Sequence, residues 1–136
     1  MDDSVTSEGC LLRINDAESD RAIVLEDDGR VAYAYLIIER ETVGDVWLYN
    51  VAPAPDVIDW KDASEMPFLN PKKYCRDEET PRLHSRARVA CTWSAVGAEV
   101  RIDGVLMARL ELGSKPGWSR LALCAGPLAQ PLDQHQ

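Results

Sequence analysis

The run Val31–Ile38, read VAYAYLII, has no polar face. Val31, Tyr33, Tyr35 and Ile37 form one alternation set, and Ala32, Ala34, Leu36 and Ile38 form the other. A strand apolar on both faces is normally covered on both, which places this one centrally in a sheet or sandwich. The run 46–51 repeats the pattern, with Trp47, Tyr49 and Val51 set against Val46, Leu48 and Asn50. Turn chemistry at Glu41–Asp45, where Gly44 can adopt φ > 0, predicts a hairpin between the two runs. Upstream, Arg21–Glu26 reads as a strand and Asp27-Asp28-Gly29 as a tight turn, so 21–51 forms a three-strand meander. Cys10–Ile14 is a shorter strand before the polar loop 15–20, and residues 1–9 form a frayed, acidic lead-in.

The second half alternates more regularly. Ala87–Ala95 sets Val89, Cys91 and Trp93 against Arg88, Thr92 and Ser94. Glu99–Asp103, Val105–Leu112 and Trp118–Leu123 follow as strands, separated by Asp103-Gly104 and by 113–117. Between the halves, residues 52–86 hold five of the eight prolines, which a regular central strand cannot accommodate. Asp59 caps a short helix over Trp60–Glu65, and Asn70-Pro71 opens another reaching Glu79. From 125 onward, Pro127 and Pro131 make an irregular tail. The pattern predicts a mainly β domain over 1–136: an antiparallel sandwich or partly open barrel of about seven or eight strands, with one or two short helices in 52–86.

Composition narrows this picture without changing it. At 136 residues, 46% apolar and 28% charged, the chain is ordinary for a globular domain. No apolar run approaches the roughly 20 residues of a membrane-spanning helix, so no membrane partner is expected. Acids stand where a signal peptide needs bases, which sets the expectation of a cytoplasmic protein. Cys10, Cys75, Cys91 and Cys124 show no CxxC or CxH spacing and read as reduced thiols. The net charge of −8 is uneven: residues 1–66 carry 16 acids against 5 bases, and residues 67–136 carry 7 against 10. An acidic balance argues against nucleic-acid binding. A single-sign half steers a chain towards another protein with a basic surface.

Candidate chemistry is sparse. No Gly-rich phosphate loop, HExxH or nucleophile elbow occurs, and Ser94 and Ser119 lie in strand patterns without flanking glycines. His84 follows Cys75, Asp77, Glu78 and Glu79 in sequence but reads as a solvated loop residue. No catalytic residue, cofactor or metal ligand is therefore assigned, and the enzyme question leans to no. The run Lys72–Arg76 mixes bases with Tyr74, as single-strand nucleic-acid surfaces do, but the acids at 77–79 interrupt it. Asp56, Asp59, Asp62 and Glu65 line up around Trp60, with Phe68 nearby. That combination of charge and aromatic anchors is the expected partner-binding set.

In length, acidity and lack of motifs the chain resembles the small immunity proteins that neutralise bacterial toxins. The resemblance implies a non-catalytic inhibitor of a basic, cytoplasm-acting toxin. The alternative is a small-ligand-binding β-barrel, or an enzyme with its site in the barrel mouth. A shallow acidic face favours the first reading, and a deep enclosed cavity with convergent polar groups the second. Nothing in the sequence sets the oligomeric state.

Overall fold

Alternating side chains build two sheets that share one core. The computed structural model describes residues 10–52, 69–70 and 74–132, which form nine strands. Sheet one is an antiparallel meander of β1 (Cys10–Asn15), β2 (Arg21–Asp27), β3 (Val31–Ile38) and β4 (Glu41–Asn50). Sheet two holds β5 (Val89–Trp93), β6 (Gly97–Ile102), β7 (Val105–Glu111), β8 (Trp118–Ser119) and β9 (Gln130–Pro131), in the order β9-β8-β7-β6-β5. Every pair in it is antiparallel except β9 on β8. Ile23, Leu25, Leu36 and Val46 from sheet one meet Val100, Ile102, Ala108 and Leu110 from sheet two, all fully buried. Burying each of the larger aliphatic side chains contributes about 1.5–3 kcal/mol. The predicted mainly β architecture is the one found.

The β3–β4 hairpin differs from expectation. Its turn is Glu39-Arg40, both at positive φ (51° and 73°), a two-residue turn that matches the strand twist. Residues 41–45 belong to β4 instead: Thr42 pairs with Ile37, Gly44 with Leu36 and Asp45 with Tyr35. Gly44 is there for space rather than for a turn, because a Cβ would lie 3.1 Å from the Glu111 carbonyl oxygen. Leu48 is an extra residue in the ladder, and this bulge rephases the strand. Val46, Trp47, Leu48 and Tyr49 are all at most 2% exposed, so β4 is covered on both faces over 46–49, while Glu41 and Thr42 are exposed and Asp45 is half-buried. In β3 the set Ala32, Ala34 and Leu36 faces inward, while Tyr33, Tyr35 and Ile37 stay half-buried on the outer side.

Further differences lie after β7 and in the connection before β5. Of Trp118–Leu123 only the first two residues extend the sheet; the chain then turns, with Ala122 N–H donating to the Ser119 carbonyl. The tail supplies β9, a two-residue edge strand, where Pro131 has no donor to waste. The helix expected from Asn70 to Glu79 does not form over 75–79. Cys75 bridges Ala122, and Arg76 N–H donates to the Leu121 carbonyl, so tertiary pairing wins over capping. The helix expected at Trp60–Glu65 lies outside the described residues. Among the described residues, no helix is long and apolar enough to cross a membrane.

Two seams hold the sheets together. On one side the outer edge of β4 accepts and donates four main-chain bonds: Asp45 N to Ser114 O (3.0 Å), Gly117 N to Asp45 O (2.7 Å), Gly113 N to Val43 O (2.7 Å) and Trp47 N to Leu128 O (3.0 Å). On the other side Arg21 donates to the Ser94 carbonyl at 2.7 Å, lies 4.9 Å over the Trp93 ring and pairs with Asp16 at 2.9 Å. The Ser19 hydroxyl, the Glu18 amide and Arg21 together hold the Asp16 carboxyl below its ordinary value.

Candidate functional site: the outer face of sheet one and the groove beside it

The two outer faces have opposite characters. Register places Thr92, Glu99, Arg109 and Trp118 in one row across sheet two. That row is a charge ladder: Arg101 meets Glu99 at 3.3 Å and Thr92 at 3.2 Å, and Arg109 lies 4.4 Å over the Trp118 ring. Arg109 also pairs with Glu111 at 3.7 Å, although its buried Nε makes no hydrogen bond among the described residues. On sheet one, register gives the rows Leu11–Glu26–Tyr33–Trp47, Arg13–Val24–Tyr35–Asp45 and Asn15–Ala22–Ile37–Thr42. Leu11 is 69% exposed, and Val24, Tyr33, Tyr35 and Ile37 are half-buried. The Tyr33 and Tyr35 rings stand parallel, with centroids 6.2 Å apart and planes 13° apart.

Carboxylates flank this aromatic pair. Burial, and then the charges of Glu26, Asp45 and Asp28, push the Tyr35 hydroxyl above its ordinary value. Burial first, then Tyr35, Asp45 and Asp28, does the same to Tyr33. Asp45 is raised by its own desolvation, partly offset by the charge of Lys115. Glu26 and Asp45 make no ion pair within 4 Å among the described residues. Asp28 is used locally, accepting from the Arg30 and Val31 amides to close its turn. The result is an apolar and aromatic face whose carboxylates Glu26 and Asp45 have no ion-pair partner within 4 Å among the described residues.

Beyond Trp47 the surface dips into a half-open groove of about 520 Å³, lined among others by Trp47, Tyr49, Asn50, Cys75, Glu78 and Arg82. Asn50 organises its floor. The Asn50 Oδ1 accepts from Trp47 Nε1 (2.8 Å) and Asn70 N–H (2.9 Å), and its Nδ2 donates to the Asn70 carbonyl (2.8 Å). The wall at 78–83 is held by Glu78 on Arg120 (2.9 Å) and by Leu83 N–H on the Tyr49 hydroxyl (2.9 Å). Tyr49 in turn donates to the buried Asp27 at 2.7 Å. Burial pushes the Cys75 thiol up, which keeps it protonated and a poor nucleophile.

The partner-binding set expected from the sequence, Asp56, Asp59, Trp60, Asp62, Glu65 and Phe68, lies outside the described residues. His84 is exposed; its Nε2 stands 3.8 Å from Asp103, and it does not line the groove with Cys75. All four cysteines are thiols rather than disulfides. Among the described residues, no group of three or more His, Cys, Asp or Glu side chains could hold a metal ion. The residues that sequence reasoning missed are Tyr33, Tyr35, Glu26 and Asp45. With Gly44 placed in a turn, Asp45 had no register against Tyr35, and that pairing is the signal that unites them. Comparison with protein families, with curated proteins and with solved structures gives no match, so the functional reading rests on geometry.

Proposed function

We propose that the chain is a non-catalytic protein-binding domain whose partner presents a basic surface to the outer face of sheet one. An inhibitor or immunity protein acting on a basic toxin is the kind of role this suits. The asymmetry of the two outer faces carries the reading: sheet two sets Arg101 against Glu99 and Arg109 against Glu111, whereas sheet one leaves Leu11 exposed and Val24, Tyr35 and Ile37 half-exposed beside Glu26 and Asp45. Contiguous apolar surface with a charged rim marks interaction sites, and tyrosine is enriched where partners bury most. Arg13 shares this rim at the β1 edge, and the carboxylates Glu26 and Asp45 on the other strands add association rate towards a basic partner.

The alternative, small-ligand binding, draws on the groove beside Trp47, whose volume lies within the roughly 300–1,000 Å³ of such sites. The space between the sheets is filled by side chains, which favours the face over a barrel mouth. The discriminating experiment is affinity capture from the native cell with three baits. The wild-type chain should retain a basic protein that a Val24→Glu, Tyr35→Glu variant loses and that a Glu99→Lys control on sheet two keeps. Equal capture by all three folded baits would reject the reading.

A further inference from the structure

Among the described residues three aromatic rings already carry an arginine, and one of them shows what the outer face of sheet one can do. Arg21 stacks at 4.9 Å over Trp93 while its Nε and a terminal nitrogen reach Asp16 Oδ2 at 3.2 and 2.9 Å. A planar guanidinium is suited to this double contact, because its face meets a ring while its edge donates to a carboxylate. The outer face of sheet one presents the same two kinds of group side by side, the Tyr35 ring and the Asp45 carboxylate, both half-exposed. Asp45 is the direct cross-strand neighbour of Tyr35, which puts their Cβ atoms within about 5 Å. On the other flank of Tyr35 stands Val24, and Ile37 follows two residues along β3.

We propose that Tyr35 and Asp45 form the seat for an arginine side chain of the partner, its guanidinium on the Tyr35 ring and its N–H groups on the Asp45 carboxylate. The proposal rests on the protein-binding reading above and names the chemistry that the face recognises. Val24 and Ile37 take the aliphatic stem, since arginine covers apolar surface with its methylenes while its head stays polar. Glu26, beside Tyr33, supplies a second acceptor one row away and excludes an acidic residue from the neighbouring position. Asp45 is well placed to reward a cation: it is half-buried, so its charge is less screened than a fully solvated carboxylate, and no ion pair within 4 Å competes for it among the described residues. Lys115 acts on it only at longer range.

The test uses the full chain, isotope-labelled, and three short amidated peptides. One carries arginine between two valines, one lysine in its place, and one citrulline, which keeps the shape and loses the charge. The arginine peptide should shift the resonances of Val24, Tyr35, Ile37 and Asp45, and bind about fivefold or more tightly than the citrulline peptide, with lysine between them. Asp45→Asn should lower the arginine peptide to the citrulline level, while Glu99→Gln on sheet two changes nothing; retained peak dispersion in both variants shows that they are folded. Equal binding of arginine and citrulline peptides, or shifts confined to sheet two or the groove, would overturn the seat. So would the absence of binding by any of the three. Failure of the protein-binding reading has its own signature, a wild-type bait that captures nothing the Val24→Glu, Tyr35→Glu bait loses.

Discussion

Tyr49→Phe removes one oxygen atom and tests how the long connection is pinned to the sheets. Tyr49 is 2% exposed, and its hydroxyl donates to Asp27 Oδ2 at 2.7 Å while accepting from Leu83 N–H at 2.9 Å. Asp27 is itself buried and, among the described residues, would keep the Gly29 amide alone, at 2.8 Å on Oδ1. No other described group replaces the lost partner of either atom, so a carboxylate oxygen and an amide are left unpaired in the interior. A hydrogen bond to a charged group is worth about 1.5–3 kcal/mol and a neutral one about 0.5–1.5 kcal/mol, so the variant should lose about 2–4 kcal/mol. For a domain of this size that is a drop in Tm of about 8–15 °C. Urea unfolding followed by tryptophan fluorescence reads it directly, with the midpoint falling and the slope unchanged. Asp27→Asn in the same background should be non-additive, because both substitutions break one contact. A loss below about 0.5 kcal/mol would refute the pin.

Three other outcomes follow from local geometry. Gly44→Ala sets a Cβ 3.1 Å from the Glu111 carbonyl and 3.2 Å from Ser114 Oγ, so it should destabilise by about 1–3 kcal/mol; a neutral result in thermal unfolding would show that the β4 seam gives way freely. Asp45→Asn should stabilise. Desolvation raises the folded carboxyl above its ordinary 3.8, so its favourable contribution is present only below that pH and is lost as pH rises through the folded value. At neutral pH the charged form costs stability, and the gain on removing it is on the order of 0.5 kcal/mol after solvent screening; a loss of stability would contradict this. In alkali, burial pushes the Cys91 thiol from 9.0 to about 11, so its contribution is intact below pH 9 and lost as pH rises towards 11. Tyr33, Tyr35 and Tyr49 extend the loss above pH 10, and a urea midpoint that stays level from pH 8 to 10.5 would exclude it.

Period-two alternation located β2, β3 and β7 to within a residue and β6 to within two, and the Asp-Gly turns were legible because they need positive φ. The start of β4 was not, because Glu39-Arg40 lacks the Gly or Asn that announces such a turn, while Gly44 mimics one for an unrelated steric reason. Leu121 and Ala122 are buried by a turn against Cys75, and apolarity alone reads the same whether a chain is extended or turned. The parallel pairing of β9 is non-local and leaves no pattern. The site was hidden by symmetry: both alternation sets of β3 are apolar, and only the packing of sheet two against Ala34 and Leu36 selects Tyr33 and Tyr35 for the outside. Asp45 joins them only through the register of β4, and Glu26 through that of β2.

The most direct measurement of the central claim is an amide and side-chain shift map of the labelled chain with its captured partner. The largest perturbations should fall on Leu11, Val24, Glu26, Tyr35, Ile37 and Asp45, weaken with added salt, and leave Thr92, Glu99, Arg101 and Arg109 unmoved. Perturbations centred on those four residues of sheet two, with Tyr35 and Asp45 unchanged, would contradict it.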